Sequence, residues 1–162
     1  MTYRLTDLTA GGAAERRDEL LALCAQAFCG APWHEPPLGA VRTVDRLLDS
    51  AAGRPDYRGV AALGPDGELQ GFAAGWTDTA LSGREPAFEL AELVVAPARQ
   101  GLGLGRALHD ALLDGPPPGP RLLMTLDVPE LTGRYARWGW TVAERRRPAR
   151  EEREYVVMRR ER

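Results

Sequence analysis

One segment, residues 93–108, limits the possible fold and function of this chain more than any other. An apolar run of strand type ends at Pro97, a helical apolar pattern begins at Leu104, and the turn between them contains glycines at alternate positions, Gly101, Gly103 and Gly105. The first amides of a helix have no intrahelical acceptor, and together with the helix dipole they favour an anion. Glycine lets a ligand approach the backbone closely. The segment therefore predicts a site for a phosphate or diphosphate group.

The glycine spacing decides between the known classes of phosphate loop. A dinucleotide fingerprint reads G-x-G-x-x-G near the start of a βαβ unit, whereas this chain reads G-x-G-x-G after several strand-like segments. A Walker loop needs Gly-Lys-Ser/Thr, and the basic residues of this region are all arginine. The plain alternative is a loop that only turns the chain, although three glycines cost conformational entropy and a simple turn needs one.

The segment closely resembles motif A of the GNAT superfamily of acyl-CoA-dependent N-acyltransferases. That motif runs V-x-P, two residues, then Q/R-x-x-G-x-G/A, and this chain supplies Val95, Pro97, Gln100, Gly103 and Gly105 in the same register. The resemblance implies acetyl-CoA as cofactor, with loop amides on its pyrophosphate and strand-edge backbone groups on its pantetheine arm. The cofactor-binding residues that it implies are Leu93, Val94, Val95, Gln100, Gly101, Leu102, Gly103, Leu104, Gly105 and Arg106.

A second segment, residues 131–140, resembles the helix–turn–strand part of the same family, usually Y-x-x-x-G-F. Tyr135, Gly139 and Trp140 fit it, with tryptophan in place of phenylalanine. The resemblance implies that Tyr135 is the general acid that protonates the departing thiolate. A tyrosine packed on the coenzyme or the core is the alternative. The family often has an asparagine just before this helix, where this chain reads Asp-Val-Pro-Glu at 127–130.

Glu92 is the candidate general base because it interrupts an apolar strand that should line the active site, immediately before Leu93, Val94 and Val95. Strict strand alternation predicts that it shares a face with Leu90 and Val94, and that Glu89 lies on the other face. An ion pair with an arginine is the alternative for Glu92. Glu89 or a water molecule is the alternative base.

The predicted acceptor-binding residues are aromatic or acidic. Trp33 and Glu35 lie between the first two helices, Trp76 and Asp78 end the strand beside the long one, and Glu89 lies on the long strand. Aromatic walls with carboxylates suit an amine that carries positive charge. A surface loop held by a buried Trp33 is an equally simple interpretation.

The order of elements predicts an α/β fold, in which a mixed central sheet of about seven strands is flanked by helices on both faces. This is the order of the GNAT fold. The first two helices are expected at Ala13–Phe28 and Val41–Ser50, and residues 1–162 are expected to form one domain.

Composition excludes several classes of function. The net charge of −2 argues against general nucleic-acid binding. The sequence contains no run of 18 apolar residues, so no membrane span is expected. Cys24 and Cys29 are placed too far apart around a helix for a disulfide, and no Cys/His cluster has zinc spacing, so no metal is expected. The N-terminus has no apolar leader, and a reduced cytoplasmic protein, a monomer or homodimer, is expected.

The sequence thus predicts an acetyl-CoA-dependent N-acetyltransferase that acts on a small-molecule or peptide amine. Direct transfer in a ternary complex is expected, since no cysteine lies at the implied thioester site. A non-catalytic acyl-CoA-binding or sensor module is the alternative from a different class, and the acceptor itself is not identified.

Overall fold

The computed structural model describes residues 2–149 and 151–161. Within them the chain forms seven strands, five α-helices and one 3-10 turn. In chain order they are β1 (Arg4–Asp7), α1 (Ala10–Glu15), α2 (Arg17–Cys29), α3 (Pro37–Gly53), β2 (Arg58–Leu63), β3 (Leu69–Asp78), β4 (Ala87–Val95), the 3-10 turn (Pro97–Arg99), α4 (Leu104–Leu113), β5 (Pro120–Leu126), α5 (Pro129–Arg137), β6 (Thr141–Arg146) and β7 (Tyr155–Glu161).

The strands form one mixed sheet in the order β1-β2-β3-β4-β5-β7-β6, which confirms the predicted α/β class. Each neighbouring pair is antiparallel except β4 and β5, which run parallel. Helices α1 to α3 cover one face, where Phe72, Trp76 and Val94 join their core. Helix α4 and Tyr135 of α5 pack on the other face, against Leu90 and Val156. Below, these are called the α1–α3 face and the α4/α5 face.

The sheet opens between its two parallel strands. Strands β4 and β5 are paired near their starts, where Phe88 is opposite Arg121 and Glu89 is opposite Leu122. Beyond these pairs β4 continues to Val95 and β5 to Leu126, and the two strands are no longer in register with each other. Their carboxyl-terminal halves are therefore separated by a gap that is open to both faces of the sheet.

A β-bulge in β4 overturns the strict alternation expected for Glu89. Ala74 is paired with Glu92 and Gly75 with Leu90, so Ala91 is an extra residue on β4. Because cross-strand partners share a face, Glu92 lies with Val94 on the α1–α3 face, as expected. Leu90 instead joins the α4/α5 core. Glu89 is opposite Trp76 and therefore lies on the same face as Glu92.

Two helix boundaries also differ from expectation. The single helix predicted at Ala13–Phe28 is two helices, α1 and α2, separated at Arg16, where φ is −98° and ψ is 18°. Helix α3 begins at Pro37 rather than Val41, because proline is tolerated at the first helical position, where no N–H is needed. No helix in the described part of the chain combines the length and the apolar character that crossing a membrane requires.

Candidate active site

The glycine loop has the conformation of an open anion cradle. Helix α4 begins at Leu104, as predicted, and its N-cap is Gly103. Gly101 and Gly103 have φ values of 78° and 86°, which L-residues with a side chain rarely adopt. A Cβ built on either glycine would meet no atom within 4 Å, so the space above this backbone is open.

The first turn of α4 supplies donors to that space. The first intrahelical bond runs from Ala107 N to Gly103 O, at 3.1 Å, so the amides of Leu104, Gly105 and Arg106 have no acceptor within the helix. The Arg106 guanidinium, 3.1 Å from Asp110, adds positive charge at the same turn. These features fit a diphosphate group.

The loop is anchored to the strand before it. Gln100 Nε2 donates to the carbonyl of Val95 at 3.0 Å. Leu102 is exposed. Gly105 differs from the other two glycines, because an added Cβ would make ordinary contacts with Val95 and Trp138 at 3.6 and 3.7 Å. The demand for glycine thus lies at 101 and 103, where it comes from the positive φ and not from a lack of space.

A cleft of about 650 Å³ occupies the gap between β4 and β5. Leu93 of β4 and Thr125 of β5 line it on either side of the gap. Glu92 lines it from the α1–α3 face and Tyr135 from the α4/α5 face. The cleft therefore connects the face that carries the glycine loop with the face that carries the acidic residues.

Tyr135 is buried, and its ring packs edge-on against Trp138 and Trp140, with centroids 5.6 and 6.2 Å away. Gly139, at φ 94°, turns the chain after α5 as predicted. The Tyr135 hydroxyl has no hydrogen-bond partner within residues 2–149 and 151–161. Burial raises the pKa of Tyr135 to about 12, so the phenol is protonated at neutral pH and can donate a proton.

Glu92 is buried and forms an ion pair with Arg46 of α3. The expected alternative of an arginine partner is thus present. Burial raises the pKa of the Glu92 carboxyl, and the guanidinium opposes that shift. Burial is the main cause of the raised pKa of Tyr135, and the charge of Glu92 adds to the rise.

Glu89 lines the same cleft from the same face. Its Oε2 accepts the backbone N–H of Leu81 at 3.0 Å. Burial raises the pKa of the Glu89 carboxyl, and the neighbouring Asp78 adds to the rise. The bulge at Ala91 is what brings this second carboxylate to the Glu92 side.

The four remaining acceptor-binding candidates also line the cleft. Trp33 packs edge-on against Phe28 at 5.5 Å, and its carbonyl accepts a hydrogen bond from Arg153. Glu35 is half-buried, and desolvation raises the pKa of its carboxyl. Trp76 is buried, and Asp78 is 3.0 Å from the Arg54 guanidinium.

Sequence reasoning missed several lining residues. Arg46 and Arg54 bring positive charge from α3 and the turn after it, while Glu151 comes from the β6–β7 connection and Tyr155 from the start of β7. Arg42 and Arg46 lie four residues apart on the predicted second helix, but nothing in that spacing tells which face meets the cleft. Among the described residues, no group of three or more His, Cys, Asp and Glu is placed to hold a metal ion.

Comparison with known families identifies the fold. A sequence model described as the Acetyltransferase (GNAT) family matches residues 19–114. This chain belongs to the GNAT family. The family transfers acetyl groups and uses acetyl-CoA. The open backbone at Gly101 and Gly103 and the free amides of α4 fit its pyrophosphate.

Solved GNAT structures share the whole fold. A GNAT-family protein from Desulfovibrio desulfuricans is 22% identical, with a TM-score of 0.72 and 99% of each chain covered. PaiA N-acetyltransferase from Thermoplasma acidophilum, solved with coenzyme A, is 14% identical, with a TM-score of 0.70 and 100% of each chain covered. Aminoglycoside 6′-acetyltransferase type Ii is 18% identical, with a TM-score of 0.69 and coverage of 98% of this chain and 96% of the other. A search of curated proteins finds no match to this chain.

Proposed function

We propose that this protein, as a single domain, is an N-acetyltransferase that transfers the acetyl group of acetyl-CoA directly to a primary amine. The observation that carries the proposal is the cleft through the gap between β4 and β5, because Tyr135 and Glu92 line it from opposite faces of the sheet. Acetyl-CoA, when bound, supplies an acetyl thioester whose thiol leaves readily.

The glycine loop and the end of β4 hold the cofactor in this proposal. The amides from Gly101 to Arg106 bind the pyrophosphate, with Gln100 and Leu102 shaping the loop. The residues Leu93 to Val95 lie on the edge of the gap, where their backbone groups face no strand partner on β5. That edge can pair with the amides of an extended arm as it would with a strand.

Tyr135 acts as the general acid. Its hydroxyl is neutral at physiological pH, as a phenol ordinarily is, and burial raises its pKa further; no group of the described chain competes for its proton. Its ring packs against Trp138 and Trp140, so packing fixes the position of the hydroxyl oxygen, and the O–H remains free to turn toward a ligand.

Glu92 acts as the general base that takes a proton from the acceptor ammonium. Its burial raises the affinity of its carboxylate for a proton, and Arg46 keeps the ionised form accessible. Glu89 is the alternative base and otherwise binds the acceptor.

The acceptor is a positively charged amine in this proposal, either a small molecule or a peptide. Trp33 and Trp76 provide aromatic surface, and Glu35, Asp78 and Glu89 provide carboxylates. Neither cysteine of the chain lines the cleft: Cys24 is buried with a raised pKa, and Cys29 is exposed elsewhere on α2. Direct transfer therefore fits better than a cysteine-bound acyl intermediate.

One observation favours a second candidate, an acyl-CoA-binding module without turnover. The Glu92 carboxylate is already engaged by Arg46, and in such a module it would serve only to hold α3 against β4.

Consumption of acetyl-CoA in the presence of a panel of amines tests the proposal. The panel contains polyamines, amino acids, aminoglycosides, a peptide with a free N-terminus and a lysine peptide, and mass spectrometry identifies the product. Acetylation of one class that is lost in Tyr135→Phe supports the enzyme. Tight coenzyme A binding with no acetylated product in any class would favour the binding module.

A further inference from the structure

The hydroxyl of Thr125, on β5, lies at the cleft and has no function in the reaction proposed for this site. The residue is 3% exposed, and its Oγ1 is buried without a hydrogen-bond partner in the described part of the chain. It nevertheless lines the cleft. A buried hydroxyl without a partner destabilises the fold, and a bound group that hydrogen-bonds to it can offset that cost.

The register of β5 shows which side of the gap this hydroxyl faces. Thr125 is opposite Val156 of β7, and Leu123 is opposite Met158. Leu123, Val156 and Met158 all belong to the core beneath α4 and α5, which also contains Tyr135. Thr125 therefore lies on the α4/α5 face, away from the carboxylates of the acceptor side.

That face is the one that carries the glycine loop and the general acid. Helix α4 and Tyr135 lie on this face, and Tyr135 and Thr125 both line the cleft, so a ligand arm that joined the N-terminus of α4 to Tyr135 would run beside β5. The edge of β4 offers backbone groups along this route, whereas from β5 the Thr125 side chain offers a hydroxyl. A hydroxyl there can donate to a carbonyl oxygen.

We propose that Thr125 is a binding residue for the cofactor, and that its hydroxyl donates a hydrogen bond to a carbonyl oxygen of the acyl-pantetheine arm. The acceptors of this class are the pantetheine amide carbonyls and the thioester carbonyl. The inference rests on the coenzyme site described above, and it adds a side-chain contact from β5 to the backbone contacts from β4 and α4.

Isothermal titration with coenzyme A and with acetyl-CoA tests the assignment through Thr125→Val, which keeps the side-chain shape and removes the hydroxyl. We expect binding weaker by about 3- to 10-fold, the value of one ordinary hydrogen bond. Thr125→Ser should restore affinity. The melting temperature of the ligand-free Val variant should be equal to or above that of wild type, because a buried group without a partner is removed.

The matched control is Thr132→Val on α5, whose hydroxyl donates to the Val128 carbonyl at 3.1 Å. This variant should lose stability and keep wild-type affinity for both ligands. An affinity loss for both ligands in Thr125→Val assigns the bond to an amide carbonyl, and a loss confined to acetyl-CoA assigns it to the thioester.

Three results would overturn the assignment. Equal affinity of Thr125→Val and wild type would show that the hydroxyl makes no bond to the cofactor. A loss seen only in the KM of the amine would move Thr125 to the acceptor. Failure of the wild-type protein to bind either ligand would refute the coenzyme site itself, and the two failures are thus distinguishable.

Discussion

The variant Gly103→Ala tests two properties of the glycine loop separately: its backbone conformation, through the stability without ligand, and its contact with ligand, through the change in stability that coenzyme A causes. Gly103 has a φ of 86°, and an added Cβ meets no atom within 4 Å, so the substitution strains the backbone without a clash. Gly67, in the β2–β3 turn, has a φ of 80° and equally open surroundings, which makes Gly67→Ala a matched control.

The cost of the substitution follows from the backbone alone. A left-handed conformation costs an L-residue with a side chain about 1–2 kcal/mol. For a chain of this size each kcal/mol changes the melting temperature by about 2–4 °C. Both variants should therefore melt about 2–8 °C below wild type without ligand.

Coenzyme A should distinguish the two variants. At a hundred times Kd a ligand stabilises a protein by about 2.7 kcal/mol, which raises the melting temperature of wild type and of Gly67→Ala by about 5–11 °C. The Cβ of Gly103→Ala enters the space that the loop offers to the phosphates, and a tenfold loss of affinity would reduce the stabilisation to about 1.4 kcal/mol.

Differential scanning fluorimetry with and without coenzyme A provides the measurement, with NAD and ATP as comparison ligands. An unchanged ligand shift in Gly103→Ala would refute a pyrophosphate site over this loop. Equal stabilisation by NAD would refute its assignment to coenzyme A.

Four further variants test the chemistry and the packing around it. Tyr135→Phe should lower kcat by roughly 10- to 1000-fold with the KM for acetyl-CoA nearly unchanged, because the ring stays packed and the proton donor is lost. Glu92→Gln should reduce kcat/KM most near neutral pH and less at high pH, where the amine is already deprotonated, as a pH–rate profile will show. Glu89→Gln should raise the free energy of unfolding at pH 8 but not at pH 4. The folded-state pKa of Glu89 is raised, so its stabilising contribution is present below the unfolded pKa and is lost as pH rises through the folded one. His109→Leu leaves the Trp140 indole N–H without its 2.9 Å acceptor and should cost about 1–3 kcal/mol in denaturant unfolding, part of which His109→Gln should restore.

Each of these variants has an outcome that contradicts its reasoning. An unchanged kcat in Tyr135→Phe, where chemistry limits the rate, would return that residue to a packing role. A defect in Glu92→Gln that does not vary with pH would indicate positioning through Arg46. Equal stability of Glu89→Gln and wild type at both pH values would contradict the raised pKa of Glu89. An unchanged free energy of unfolding in His109→Leu would show that the hydrogen bond of the Trp140 indole makes no net contribution to stability.

Local patterns predicted the elements around the cofactor closely. Helix α4 begins where its periodicity placed it, at Leu104, and Gly139 lies in the turn that its motif predicted after α5, with a left-handed φ. These features depend on residues within a few positions of each other, and so they can be predicted from the local sequence pattern. The break at Arg16 and the early start of α3 at Pro37 are also local, but they rest on small differences in backbone preference that periodicity does not report.

The arrangement of the site itself depends on contacts that are distant in sequence. An apolar strand pattern cannot reveal the bulge at Ala91, because the extra residue is defined only by pairing with β3. Without it Glu89 and Glu92 would lie on opposite faces. The Glu92–Arg46 pair likewise joins residues 46 positions apart, and only the packing of α3 on β4 selects this arginine among many.

The amino-acid order alone was enough to indicate the class of fold and the glycine turn at the start of α4, since both follow from short-range spacing of residue types. Tyr135 became a candidate acid through the resemblance to a family, and Glu92 a candidate base because it interrupts an apolar strand. Tertiary structure decided the gap between β4 and β5, the face that Thr125 shares with Tyr135, and the ion pair of Glu92. The reason is physical: spacing along a chain sets backbone conformation, whereas burial, charge pairing and unpartnered groups are properties of surfaces that meet only when the sheet and helices have assembled.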